Sequence, residues 1–182
     1  MNHADYVELL RPAKLAEGGV WADLGAGAGA FTMALRELVG PEAIIYAVDA
    51  DAPRLQDLQR EYGERFGDTT NLHLMPADLS KRPETPPLDG VLMANSLHFF
   101  ENKEPLLRAI RTLLKPGGLL LLVEYNVDEG NMWVPYPLSF ESFRQLAPRA
   151  GYAEPALLAT HPSNFLHEFY STAARKQASP PH

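Results

Sequence analysis

One carboxylate stands directly before three alternating glycines in Asp23-Leu-Gly25-Ala-Gly27-Ala-Gly29, and further carboxylates follow at Asp49, Asp51 and Asp78. Glycines let the main chain bend tightly and let a ligand approach it with no Cβ in the way. The turn fits a nucleotide-type ligand, against the alternative of an ordinary strand-to-helix turn. Because Gly25-x-Gly27-x-x-Ala30 also meets the loose dinucleotide fingerprint, NAD is one candidate. Asp49 lies about 20 residues further on, the distance at which an acidic side chain accepts from the ribose hydroxyls of such ligands. Asp49 or Asp51 can instead cap a helix, since Ala52-Pro53 follows and proline is favoured at the first helical position. Asp49 is the first choice for the ribose because it ends the apolar run before it. Asp78, after Pro76-Ala77, can accept from an adenine amino group while Leu79 or Ala77 packs on the ring; the competing reading is a solvated turn aspartate.

These residues must be brought together by the elements around them. Val20–Leu24, Ala43–Val48, Asn71–Met75, Leu88–Ala94 and Leu119–Tyr125 read as strands, the last with too few polar positions for a half-exposed strand. Between them, Phe31, Ala34, Leu35 and Leu38 follow the i, i+3, i+4, i+7 helical template, ended by Gly40-Pro41. Leu55, Leu58, Tyr62 and Phe66 stripe a second helix, and Leu106, Leu107, Ile110, Leu113 and Leu114 a third, ended by Lys115-Pro-Gly-Gly118. Pro83, Pro86 and Pro87 forbid a regular helix before the fourth strand. Asn126–Pro137 reads as irregular, Ser139 as the cap of a helix ending at Gly151. Pro155–Thr160 and Phe165–Thr172 read as an antiparallel pair turning through His161–Asn164. Strands alternating with helices imply an α/β fold, a doubly wound, mainly parallel sheet that binds ligands beyond its strands' carboxyl ends.

The chain has 182 residues, 16 Lys+Arg against 23 Asp+Glu and a net charge of −7, which predicts a single domain over 1–176. Residues 177–182 read as a disordered tail. A chain of this size buries roughly 70% of its unfolded surface and can hold a core unaided. The absence of cysteine excludes disulfides, Cys-ligated zinc, iron–sulfur clusters and a thiol nucleophile. Acidic balance without a basic block disfavours nucleic acid and anionic membranes as partners. No apolar signal region follows Met1, and the run Leu119–Val123 is too short to span a bilayer, so a cytoplasmic location is expected. The histidines at 3, 73, 98, 161, 167 and 182 lack metal-ligand spacing, and no metal is expected.

Taken in order, VWADLGAGAGAF, IIYAVDAD, MPADL, MANSLHFF and LLKPGGLLLLVEY resemble the successive motifs of the class I S-adenosylmethionine-dependent methyltransferases, in particular small-molecule enzymes of the quinone-biosynthesis type. The similarity covers roughly residues 15–175. It implies a Rossmann-like, seven-stranded sheet with a C-terminal antiparallel hairpin, and S-adenosylmethionine as cofactor with S-adenosylhomocysteine as product. Carried over position by position, the resemblance places Gly25 and Gly27 around the methionyl moiety and Asp23 near its amino group. It places Asp49 on the ribose with Ala50 beside it, Asp78 and Leu79 around adenine, and the Asn95 carbonyl toward the amino group, with Asn95–Phe99 facing the transferring methyl. NAD fits less well, because a carboxylate at Asp23 suits an ammonium group and sits badly beside a pyrophosphate. The helix-free proline loop before the fourth strand departs from the family and leaves the substrate contacts of that segment open.

The resemblance implies transfer of a methyl group to a small organic acceptor by in-line displacement, which needs orientation and desolvation but no covalent nucleophile. Where an acceptor must lose a proton, His98 is the best-placed base, against the alternative of a packing histidine between Leu97 and Phe99. His3, Tyr6, Trp133 and Tyr136 either wall the acceptor site or are ordinary surface aromatics. Asn95-Ser-Leu-His98 is not the Asn-Pro-Pro-Tyr or Asp-Pro-Pro-Tyr of enzymes that methylate amino groups of adenine or glutamine. A non-catalytic cofactor-binding module and an NAD-dependent enzyme remain alternatives. The oligomeric state is left open, a homodimer being one option.

Overall fold

The computed structural model describes residues 1–178. In chain order the elements are α1 (His3–Leu10), β1 (Val20–Leu24), α2 (Ala30–Val39), β2 (Ile44–Asp49), α3 (Ala52–Phe66), β3 (Leu72–Pro76) and β4 (Leu88–Ala94). They continue as α4 (Lys103–Leu113), β5 (Leu114–Tyr125), α5 (Phe140–Arg149), β6 (Ala156–Ser163) and β7 (His167–Arg175). One seven-stranded sheet runs in the order β3-β2-β1-β4-β5-β7-β6. β7 is antiparallel to both of its neighbours, and the pairs from β3 through β5 are parallel. The chain winds outward from β1 to β3 and then restarts on the other side of β1 with β4. That reversal opens a crevice at the carboxyl ends of β1 and β4, where such sheets take their ligands.

Successive side chains on a strand point to opposite faces, and the two cores follow that alternation. Trp21, Leu92, Ala94, Leu121 and Val123 join α1, α2 and α3 on one face. Ala22, Leu24, Val91, Met93, Leu120 and Leu122 join α4 and α5 on the other. The same parity sends Asp23 to the first face and Glu124 to the second, so each strand delivers one buried acid beside a hydrophobic layer. Leu58 of α3 occupies the space a Cβ on Gly29 would need, which lets the helix close against the glycine turn.

Helix ends follow local chemistry. Asp51 caps α3 by accepting from Arg54 N at 3.0 Å, with Pro53 in the first turn, and Gly67 ends it. Ser139 caps α5 by accepting from Ser142 N at 3.2 Å. No regular element occupies Ala77–Pro87, where the prolines stand.

Three expectations are corrected. Lys115–Gly118 does not merely end the third helix: β5 already begins at Leu114, because Leu88 pairs with Leu114 before an irregularity restores register at Gly90–Leu119. The hairpin turns at Asn164–Leu166 rather than His161–Asn164, since His161 pairs with Phe169 and Ser163 with His167. Gln177, read as the first tail residue, is paired instead: its N–H donates to Gly151 O at 3.1 Å, and its carbonyl accepts from Arg111. The remainder of the expected tail, from 179, lies outside the described residues. The amino-terminal segment, not assigned an element, forms α1, with an Asn2–Asp5 capping box at its start and Val7, Leu9 and Leu10 buried. Among the described residues no helix is long and apolar enough to cross a membrane.

Candidate functional site

The carboxyl ends of β1, β2, β3 and β4 surround a cleft of about 290 Å³ lined by Gly25, Asp49, Ala50, Asp78, Leu79 and Asn95, together with Arg54, Ser96, Phe99 and Phe100. Six of the residues singled out from the sequence therefore meet in one place. Asp23, Gly27 and His98 do not line it: Gly27 reaches it through its bond to Asp49, His98 is next to Phe99, and Asp23 is buried beneath the glycine turn, two residues before Gly25.

Gly25 sits at φ +85°, and a Cβ there would come within 2.5 Å of Ser96 Cβ. The close approach has a purpose in the fold: Ser96 Oγ donates to Leu24 O at 2.8 Å, tying the end of β4 across the end of β1. Gly27 N–H donates to Asp49 Oδ2 at 2.8 Å, and Asp51 N–H to Asp49 Oδ1 at 2.9 Å. Asp49 thus clamps the glycine turn, while each of its oxygens keeps a lone pair for a further donor. The two aspartates divide the roles left open between them: Asp51 caps α3, and Asp49 faces the cleft.

Asp23 is only 1% exposed. Thr32, in the first turns of α2, donates to its Oδ2 at 2.6 Å, and Oδ1 is buried without a partner. Burial pushes the carboxyl up to about 7 from its ordinary 3.8; the Thr32 bond works in the opposite direction and the nearby Asp49 charge adds to the rise. Asn95 adopts a left-handed φ of +52°, anchored by its N–H to Val123 O, and its Oδ1 is likewise buried and unpartnered. Two unpartnered acceptors and a glycine cradle that a Cβ would fill suit a ligand that brings a cationic amino group. The acceptors of the site thus fit the ammonium, ribose-hydroxyl and adenine-amino donors of S-adenosylmethionine.

Asp78 is turned partly to its own loop, accepting from Ser80 N at 2.8 Å, and the Ser80 backbone and hydroxyl hold its carboxyl below the usual range. Leu79 lines both the cleft and an adjoining apolar cavity of about 260 Å³ between the Ser80–Pro83 loop and α4. On the other flank, His98 occupies a short turn, Leu97–Phe99, and its Nδ1 lies 2.7 Å from Glu124 Oε2. Phe99 is 60% and Trp133 69% exposed, and Tyr136 N–H donates to His98 O at 3.0 Å, so the loop after β5 is fastened to this turn. His3 and Tyr6 lie elsewhere, on α1, where they line a separate cleft with Ala28, Ala30 and Met33.

Sequence reasoning missed Thr32, Arg54 and Glu124, and named Ser96 only within Asn95–Phe99, without its bond to Leu24. Thr32 and Arg54 each stand in the first turn of the helix that follows a strand with a carboxylate at or next to its end, which was a usable signal. Ser96 and Glu124 offered none, because their partners lie 72 and 27 or fewer residues away across the sheet.

A sheet of this order, with a glycine turn after its first strand and a ribose-type acid after its second, has the Rossmann-like architecture of the class I methyltransferases. A family model described as "Methyltransferase domain" matches residues 22–120, more than half of the sequence, and the chain belongs to that family. The ubiquinone/menaquinone biosynthesis C-methyltransferase of Pseudomonas savastanoi is 32% identical over 105 residues, which are 57% of this chain and 41% of the relative. The chain therefore spans about two fifths of the length of that curated relative. Among solved structures, the YcgJ protein of Bacillus subtilis superposes with a TM-score of 0.78 at 14% identity, over 97% of this chain and 100% of the other. Human N-acetylserotonin methyltransferase, solved in complex with its S-adenosylmethionine, gives a TM-score of 0.70 at 21% identity over 96% of this chain and 52% of the other. At those identities the likeness is one of fold.

Proposed function

We propose that this chain transfers a methyl group from S-adenosylmethionine to a small organic acceptor, releasing S-adenosylhomocysteine. The observation that carries the reading is the convergence of Gly25, Asp49, Asp78 and Asn95 in one cleft at the switch point of the sheet. In this reading Asp49 accepts from the ribose hydroxyls, with Ala50 beside it, and Asp78 and Leu79 bracket adenine. Gly25 and Gly27 give the methionyl moiety access to the main chain. The Asp23 carboxylate and the Asn95 main-chain carbonyl supply acceptors for its amino group, and the unpartnered Asn95 Oδ1 is a further one. When bound, the cofactor supplies a sulfonium methyl that is already activated, so the protein's work is to orient the acceptor, exclude water and take up a proton. In this reading His98, next to the cleft residue Phe99, takes up the proton. The acidic surface favours a small molecule over nucleic acid as the acceptor, and the cytoplasm is the expected location.

Calorimetric titration with S-adenosylmethionine, S-adenosylhomocysteine and NAD tests the reading. Both adenosyl ligands should bind and NAD should not; NAD binding alone would replace the proposal with a dinucleotide enzyme. Asp49→Ala should weaken S-adenosylmethionine by about 1.5–3 kcal/mol, the range for bonds to charged groups. Because Asp49 also holds the glycine turn, Asp51→Ala serves as the control: it removes the α3 cap, costs about 1 kcal/mol of stability and leaves affinity in place. Equal affinity in the parent and the Asp49→Ala protein removes the ribose role.

A further inference from the structure

Glu124 is fully buried at the carboxyl end of β5, yet its carboxyl group meets two backbone amides and an imidazole nitrogen. Oε1 accepts from Leu97 N at 2.9 Å and His98 N at 3.2 Å, and Oε2 faces His98 Nδ1 at 2.7 Å. A charge is kept out of water in this way only when its lone pairs are filled, and here two backbone amides and a ring nitrogen fill them. The amides can only donate, which favours the ionised acid. An ionised carboxylate can only accept, so Nδ1 carries the proton and the neutral imidazole keeps its lone pair on Nε2.

The ring is held as firmly as the tautomer. His98 packs against Phe99 at 4.3 Å and Tyr125 at 6.2 Å between ring centroids. Lys103, on α4, donates to Phe100 O, and the Glu124 charge reaches both its ammonium and the buried Tyr170 hydroxyl of β7. These, with Tyr125 of β5, are the titratable groups that face the His98–Glu124 pair among the described residues. Four of the six residues from Asn95 to Phe100 line the cleft, so the histidine stands within the segment that borders it. No protein group among the described residues bonds Nε2.

We propose that Glu124 is a positioning residue: it fixes the Nδ1-protonated tautomer of His98 and makes Nε2 the proton acceptor for a methyl acceptor that must lose a proton, a hydroxyl or an activated C–H. This rests on the methyl-transfer reading and narrows its substrate class, since a thioether or tertiary amine has no proton to give. The acceptor's proton passes to Nε2, the resulting imidazolium is held by the Glu124 carboxylate, and the electron pair left behind stays on the acceptor as nucleophile.

Glu124→Gln separates positioning from packing. Its carbonyl can keep both backbone donors, which turns the amide NH2 toward Nδ1 and forces the imidazole proton onto Nε2. Long-range proton–nitrogen correlation spectra of the labelled full chain, with the His98 signal identified by its loss in His98→Gln, should show Nδ1–H in the parent and in Glu124→Asp. They should show Nε2–H in Glu124→Gln. Carbethoxylation of His98 by diethyl pyrocarbonate, followed by peptide mass spectrometry, should be at least about tenfold slower in Glu124→Gln, where only the minor tautomer offers the Nε2 lone pair. Nε2–H in the parent, an unchanged tautomer in Glu124→Gln, or a His98 that the reagent does not label in the folded parent overturns the proposal. If Glu124→Gln fails to fold, the tautomer and labelling of the parent decide alone. S-adenosylmethionine affinity in the parent is read separately, so its loss counts against the cofactor assignment and not against the dyad.

Discussion

Asp23→Asn is expected to stabilise the protein without ligand by about 4 kcal/mol at about pH 8 and by little at about pH 4. The native carboxyl titrates near 7 against 3.8 in its unperturbed form, chiefly because it is buried. A pKa raised on folding means that the native state binds the proton more tightly than the unfolded chain. The associated stability is complete below the unfolded value and drains away as pH rises from about 4 through 7, reaching its full loss above that. Asparagine stays neutral throughout, can still accept the Thr32 hydroxyl bond, and escapes the loss. Comparing urea midpoints of parent and variant across pH isolates this one group from the other carboxylates, and parallel curves would refute the assignment. The same substitution should weaken S-adenosylmethionine, because a cationic amino group beside the unpartnered Oδ1 favours the ionised acid that asparagine lacks. Gain of stability with loss of affinity is the pattern of a buried acid retained for its ligand.

Gly25→Ala should cost about 2–4 kcal/mol of stability, combining a strained positive φ with overpacking against a fixed neighbour. The added methyl would lie 2.5 Å from Ser96 Cβ and 2.9 Å from its Oγ. Ser96 cannot simply turn away, because its hydroxyl holds Leu24 O and thereby the crevice between β1 and β4. Gly18→Ala is the control: its φ is +78°, but nothing lies within 4 Å of the new Cβ, so it carries the backbone strain without the clash. Denaturant titration should rank Gly25→Ala well below Gly18→Ala, and Gly25→Ala/Ser96→Gly should recover part of the difference as a coupling energy. Calorimetry should find cofactor binding lost in Gly25→Ala and kept in Gly18→Ala. Equal cost for the two single variants would mean that the Ser96 contact carries no weight.

Much of the fold was legible because it rests on local periodicity. Val20–Leu24 and Leu88–Ala94 fall where their apolar runs stand, and α2 and α3 follow their stripes. The errors occur where pairing across the sheet overrides local turn chemistry. Lys115-Pro-Gly-Gly118 carries every sign of a turn, yet Leu114 is held in β5 by Leu88, and His161–Ser163 stays extended because β7 supplies partners for it. For α1, a capping box and three buried apolar residues were present in a segment too short and too charged to stand out.

The site divides along the same line. Spacing along the chain was enough to name Gly25, Asp49 and Asp78, and the family resemblance added Asn95; each stands at or just past the end of a strand, and parallel strands bring those ends to one edge. Spacing could not say which of Asp49 and Asp51 caps α3, nor that Thr32 sits under Asp23. Least of all could it show that Glu124 faces His98. Those facts are contacts between residues brought together by strand order, and the physical properties that matter follow from them. An aspartate's pKa depends on what buries it, and a histidine's tautomer on what its other nitrogen meets. The amino-acid sequence determined which chemical groups arrive at the edge of the sheet; only the packing of β1, β4 and β5 side by side decided how those groups are charged and where their lone pairs are directed.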